Sequence, residues 1–157
     1  MGFRASAGVG PVSTASAGVA LTPSAMRVIE RDAFQIVNTE RSLAGLSTLK
    51  WNEKVAEVAR LHSNNMAELN FFNHRGLDGL MVDDRASRLN MGAWSAIGEN
   101  IAFMKGFENP AGTVVEKWLA SAGHKKNLLS PDWTETAIGL AVTPDGKYYF
   151  TQVFIRN

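Results

Sequence analysis

Apolar residues recur at three- and four-residue intervals through Met26, Ile29, Ala33, Ile36 and Val37, the spacing of one helix face. Pro23-Ser24 opens this segment and Gly45 follows it. A helix from Ala25 to about Arg41 is predicted, with the glycine as its stop. Leu46 to Trp51 reads as a connector. Asn52 can cap a second helix, with Glu53 favourably placed in its first turn. On that helix Val55, Val58, Ala59, His62, Met66 and Leu69 share a face, so His62 points inward. Asp83-Asp84 can cap a short helix through Leu89. Asn109-Pro110 is a further start signal, a capping side chain before a proline at the first helical position. That helix turns Val114, Val115, Trp118 and Leu119 inward, Gly123 breaks it, and Pro131 closes the segment.

The pattern changes period near the end. Ala137–Thr143 and Lys147–Ile155 read as two strands joined by Pro144-Asp145-Gly146. Both are apolar on both faces, whereas a sheet covered on one side alternates more cleanly. Helices should therefore flank the sheet on both sides. The predicted fold is α+β, a three-layer α-β-α sandwich over residues 23–157.

Residues 1–22 differ in kind. They are mostly Ala, Gly, Ser, Thr and Val with one charge, Arg4. Small and polar residues interrupt every run, so the apolar core of an export signal is not visible, and the segment reads as a flexible tail. No stretch approaches the roughly 20 apolar residues of a spanning helix, so no transmembrane segment is expected. At 157 residues the chain is one domain. Sixteen basic against fifteen acidic side chains leave a net charge of +1, and the basic residues are scattered, which gives no case for nucleic acid. The absence of cysteine excludes disulfides, zinc-thiolate sites and thiol nucleophiles.

The chemistry must then come from few groups. His62, His74 and His124 are the only histidines, and without cysteine they are the only nitrogen ligands to consider. Two or three imidazoles with one carboxylate make a workable open zinc site. Glu99, between Gly98 and Asn100, is the natural carboxylate. No His-x-x-x-His pair shares a helix, so the ligands must converge through the fold. Asp78, Asp83 and Asp84 lack the spacing of a helix-loop-helix calcium site. No serine sits in Gly-x-Ser-x-Gly; Ser121, three residues before His124, could pair with it, but no acid orients that histidine. Trp51, Trp94, Trp118 and Trp133 read as core or cleft wall.

Three strings occur in a fixed order: Asn70-Phe71-Phe72-Asn73-His74, Gly98-Glu99-Asn100-Ile101-Ala102, and Trp118 to Asn127 with its Gly123-His124. This order resembles the CAP superfamily, which comprises cysteine-rich secretory proteins, antigen 5 and plant pathogenesis-related class 1 proteins. The likeness runs from about Ser24 to Ile155. Its animal and plant members are disulfide-rich, so the lack of cysteine points to the bacterial branch, the SCP-like domains. The resemblance implies the same α-β-α sandwich and a central cleft holding two histidines and two glutamates. Three of these fall on His74, Glu99 and His124; the second glutamate falls on Ser121. The usual glutamine three residues after the second histidine is Asn127 here. His62 stands where plant members often carry tyrosine, and it is expected to face the same cleft in place of the missing polar group.

The resemblance implies a secreted, cell-surface or periplasmic protein. Its ligand-binding residues would be His62, His74, Glu99, Ser121, His124 and Asn127. His74, Glu99 and His124 would hold a divalent cation, zinc by its ligand types, or a small ligand such as a lipid would bind there. Two other readings stand beside this one: a metal-assisted hydrolase using Glu99 as base with His124 as a further catalytic candidate, and a surface interaction protein with a vestigial cleft.

Overall fold

The computed structural model describes residues 21–157; the tail expected over residues 1–22 lies, apart from Leu21 and Thr22, outside the described residues. Thr22 belongs to the fold. Its hydroxyl accepts from the Ala25 amide at 3.1 Å and caps α1, Pro23–Leu43, with Pro23 in the first turn. The remaining elements are β1 (Lys50–Trp51), α2 (Glu53–Leu69), α3 (Val82–Arg88), β2 (Ala96–Lys105), α4 (Pro110–Ala120), α5 (Ala122–Leu128), β3 (Glu135–Val142) and β4 (Lys147–Arg156). Asn52 and Asn109 cap α2 and α4 through their side chains, as their positions before each apolar stripe predict.

One four-stranded sheet runs in the order β1-β3-β4-β2. β1 is parallel to β3; the other pairs are antiparallel. α1 and α4 cover one face, where Phe34, Val37, Val114 and Trp118 meet Ile138, Phe150 and Phe154. α2 covers the other, where Val55, Val58 and Ala59 meet Ala137, Val153 and Ile155. The sandwich read from the doubly apolar hairpin is the observed one. α2 lies very close to the sheet. A Cβ on Gly139 of β3 would collide with the backbone of Ala59 and Arg60, and Ser63 Oγ donates to the Gly139 carbonyl at 2.9 Å.

Two buried charges tie the layers together. Glu30 of α1 accepts from Arg60 of α2 at 2.6 Å and from the Leu140 amide of β3 at 3.1 Å. Arg41 donates to the carbonyls of Ser47, Leu128 and Ser130 at 2.8 to 2.9 Å, which pins the end of α5 to α1.

The structure departs from the sequence reading in five places. The N-cap of α3 is Met81, and Asp83 and Asp84 lie in its first turn, with Asp84 Oδ2 accepting from the Met81 amide at 3.0 Å. Lys50–Trp51 is a short strand rather than a plain connector. Ala96–Lys105 is a full strand where none is predicted. The break after α4 falls at Ser121, and Gly123 lies inside α5. Leu69, placed on the buried face of α2, is 55% exposed in the helix's last turn.

Candidate functional site

β2 carries the centre of the site. Its alternation sends Glu99, Ile101 and Phe103 toward the α2 face, where Ile101 packs with Met66 and Tyr149. Asn100, Ala102 and Met104 turn to the opposite face, with α4. The consecutive pair Glu99-Asn100 therefore serves two different neighbourhoods.

On the first face Glu99 is buried and fully engaged. Its Oε2 accepts from Arg85 Nη2 at 2.6 Å and its Oε1 from His74 Nδ1 at 2.8 Å. Arg85, on α3, also donates through Nη1 to the carbonyls of Leu80 at 2.8 Å and His74 at 3.1 Å. The guanidinium thus holds both the carboxylate and the backbone of the residue that the carboxylate orients. A carboxylate only accepts here, so His74 Nδ1 carries the hydrogen. His74 Nε2 is the nitrogen left for a ligand, on a side chain that is 44% exposed.

His62 lies behind this cluster and is wholly buried. Its Nε2 donates to the carbonyl of Asn73, the residue before His74, at 2.8 Å; Nδ1 is buried without a partner among the described residues. His62 does not line the cleft as the resemblance implied. It fastens the loop that presents His74. Burial, helped by the charges of Arg85 and His74 and opposed by Glu99, pushes its pKa below 6.5.

On the second face Asn100 Nδ2 donates to the His124 carbonyl at 3.0 Å. Asn127 Nδ2 donates to Asn100 Oδ1 at 3.0 Å and to the Glu99 carbonyl at 3.2 Å. Trp133 Nε1 closes the set on the Asn127 carbonyl at 2.9 Å. A Cβ on Gly98 would come within 2.8 Å of the Trp133 ring, so the glycine before Glu99 makes room for the tryptophan that holds Asn127. These bonds dock α5, and with it His124, on β2. Burial, with a smaller contribution from the His74 charge, lowers the pKa of His124 below 6.5.

The sequence-predicted residues divide accordingly. His74 and Glu99 are in direct contact, and His124 is close enough to feel the charge of His74. Asn127 is a docking residue with its amide already engaged. Ser121, at the junction of α4 and α5, faces a groove of about 400 Å³ that it shares with His124, Trp118, Lys117, Phe72 and Phe103. Among the described residues no three His, Asp or Glu side chains come together as a metal-holding group. The sequence reading singles out neither Arg85 nor Asn100. Asn100 stands inside one of the three strings, whereas nothing in the local pattern around Asp83-Asp84-Arg85 marks the arginine.

The profile of the family described as CAP, cysteine-rich secretory protein family, matches residues 34–154. An uncharacterized membrane protein of Bacillus subtilis, YlbC, is 39% identical over 128 residues, which are 82% of this chain and 34% of that protein. The crystal structure of an extracellular SCP-domain protein from Bacillus anthracis matches with a TM-score of 0.75 at 32% identity, over 88% of this chain and 45% of that one. An outer surface protein from Borrelia burgdorferi matches with a TM-score of 0.75 at 20% identity, over 84% of this chain and 95% of that one. The chain thus spans less than half the length of the two Bacillus proteins. No helix among the described residues is long and apolar enough to cross a membrane.

Proposed function

Because the chain belongs to the cysteine-rich secretory protein (CAP) family, we propose that it is a binding domain acting outside the cytoplasm. Its cleft takes a zinc-class divalent cation between the imidazoles of His74 and His124. One observation carries this reading: Glu99, clamped by Arg85, accepts the Nδ1 hydrogen of His74. That is the carboxylate–histidine arrangement in which a second-layer acid fixes the tautomer and direction of a metal-binding ring. The lowered pKa of His124 supports it too, since an imidazole must be neutral to bind. The extracellular assignment is supported by the Bacillus anthracis and Borrelia relatives, described as extracellular and outer-surface proteins.

The donor set differs from the one expected from sequence. Each oxygen of Glu99 already accepts a hydrogen bond and the side chain is almost wholly buried, so Glu99 supports a ligand rather than being one, and two imidazoles remain. A bound cation would supply a positive centre for an anionic or carbonyl oxygen of a ligand. The hydrolase reading is weaker for the same reason, because the Glu99 carboxylate is almost wholly buried against Arg85 and His74 rather than open to the cleft.

Calorimetric zinc titration of the full chain at neutral pH tests the reading. One site per chain is expected, weakening as pH drops below about 6, where imidazole protonates, and lost in both His74→Ala and His124→Ala. No heat of binding, or unchanged binding in the double variant, overturns it.

A further inference from the structure

β2 is a border strand of the sheet. The Thr134 amide donates to the Ile155 carbonyl at 2.9 Å, so Ile155, Val153 and Thr151 turn their main-chain groups toward β3. Phe154, Gln152 and Phe150 turn theirs to Gly98, Asn100 and Ala102. The alternate residues Glu99, Ile101, Phe103 and Lys105 therefore point their N–H and C=O groups away from the sheet. Side chains close part of this border: Asn127 binds the Glu99 carbonyl and Trp118 Nε1 the Ile101 carbonyl, at 3.2 and 3.1 Å. Further along, the amides of Ile101, Phe103 and Lys105 and the carbonyl of Phe103 have no partner among the described residues. The opposite border is treated differently, since the outward Leu140 amide of β3 is capped by the buried carboxylate of Glu30.

The groove of about 400 Å³ covers Ile101 to Phe103 of this stretch. Phe72, half exposed, Phe103 and Lys117 line it at the surface, and Trp118, which also borders it, is wholly buried. Among the described residues no acidic side chain lines it.

We propose that this groove binds an extended peptide, which adds a short strand to the open border of β2. The peptide lays an apolar side chain against Phe72 and Phe103 and sets an acidic group against Lys117. An outward amide and carbonyl on Phe103, with a further amide two residues either way, have the spacing of a ladder and match another main chain. An acyl chain would bury them unsatisfied. The exposed rings of Phe72 and Phe103 select the apolar side chain, and the Lys117 charge selects the acid. The site adjoins the imidazole pair and does not rest on it.

The test uses the full chain and a library of blocked random octapeptides, screened in EDTA so that loss of cation binding and loss of peptide binding are separable. Enriched peptides are expected to shift the amide resonances of Ile101, Phe103 and Lys105. N-methylation at alternate residues should weaken the best binder about tenfold, the worth of one or two hydrogen bonds, in one phase of the alternation and little in the other. Lys117→Glu should weaken acidic binders about threefold, as an exposed ion pair allows, with zinc titration unchanged. No enrichment, equal binding of both N-methylated forms, or shifts outside β2 overturns the proposal. So does laurate filling the groove where no peptide enriches, or a chain dimer that protects the same amides.

Discussion

Arg85 Nη2 and Glu99 Oε2 meet at 2.6 Å with both side chains almost wholly buried. The pair joins α3 to β2, and through the second oxygen of Glu99 it also sets the ring of His74. Arg85 directs its other terminal nitrogen to the loop carbonyls of His74 and Leu80. One cation thus fixes both the backbone and the side-chain direction of His74, whose ring is partly exposed. Arg85 Nε is buried without a partner, so placing the guanidinium there carries a desolvation cost.

Removing one member of a buried pair strands the other. Arg85→Met should therefore destabilise the fold by about 3–5 kcal/mol. Replacing both, Arg85→Met with Glu99→Leu, should recover much of that loss, because no uncompensated charge remains. Urea unfolding of the two variants measures this. A single variant costing less than about 1 kcal/mol, as an exposed pair would, shows that the pair does not hold α3 on β2. The double variant should still fail to bind zinc normally, since His74 has lost its acceptor.

The helices α1, α2 and α4 were legible from one dominant period and a marked start, and the hairpin β3–β4 from its two apolar runs and the turn between them. β2 was not. A strand at a sheet border is recognised by alternation, and Glu99-Asn100, buried side by side to serve two faces, breaks that alternation where the site is built. α5 was obscured by Gly123 and is only seven residues long; contacts hold it, with Arg41 on the Leu128 carbonyl and Asn100 on that of His124. Chemistry alone brought forward the three histidines and Glu99, and the resemblance singled out His74, Glu99 and His124 among them. That Glu99 is already occupied could not be read there, because its partner Arg85 reaches it from a separate helix, fourteen residues earlier.

His62 gives the protein an acid limb. Its pKa is lowered in the fold, chiefly by burial, so the unfolded chain takes up a proton near pH 6.5 that the folded chain refuses. The stability is fully present above pH 6.5 and falls as the pH drops below it, by up to about 1.4 kcal/mol per pH unit until the folded pKa is passed. Urea midpoints for His62→Leu should therefore fall less between pH 7.5 and 5 than those of the unaltered protein. The same change frees the Asn73 carbonyl, so amide exchange should quicken around residues 71–75. Zinc affinity should fall by less than the roughly tenfold loss typical of a direct outer partner of a ligand. Parallel acid limbs in the two proteins would sink this account of His62.

Trp118 bears on both stability and the groove. It is completely buried between α1, α4 and the sheet, and its Nε1 hydrogen is the group that closes the Ile101 carbonyl on the β2 border. Trp118→Ala should cost about 3–5 kcal/mol, as large aromatic truncations in a core do. Trp118→Phe keeps most of the apolar volume but leaves that carbonyl without its donor, at about 1–3 kcal/mol. The open border then lengthens by one acceptor, next to the amides already unpaired. Trp118→Phe should therefore lose stability yet keep or strengthen binding of main-chain ligands along β2, an opposition that a purely structural tryptophan would not produce. Urea unfolding and peptide titration on the same variant decide it: stability and peptide affinity falling together would mean that Trp118 only fills the core.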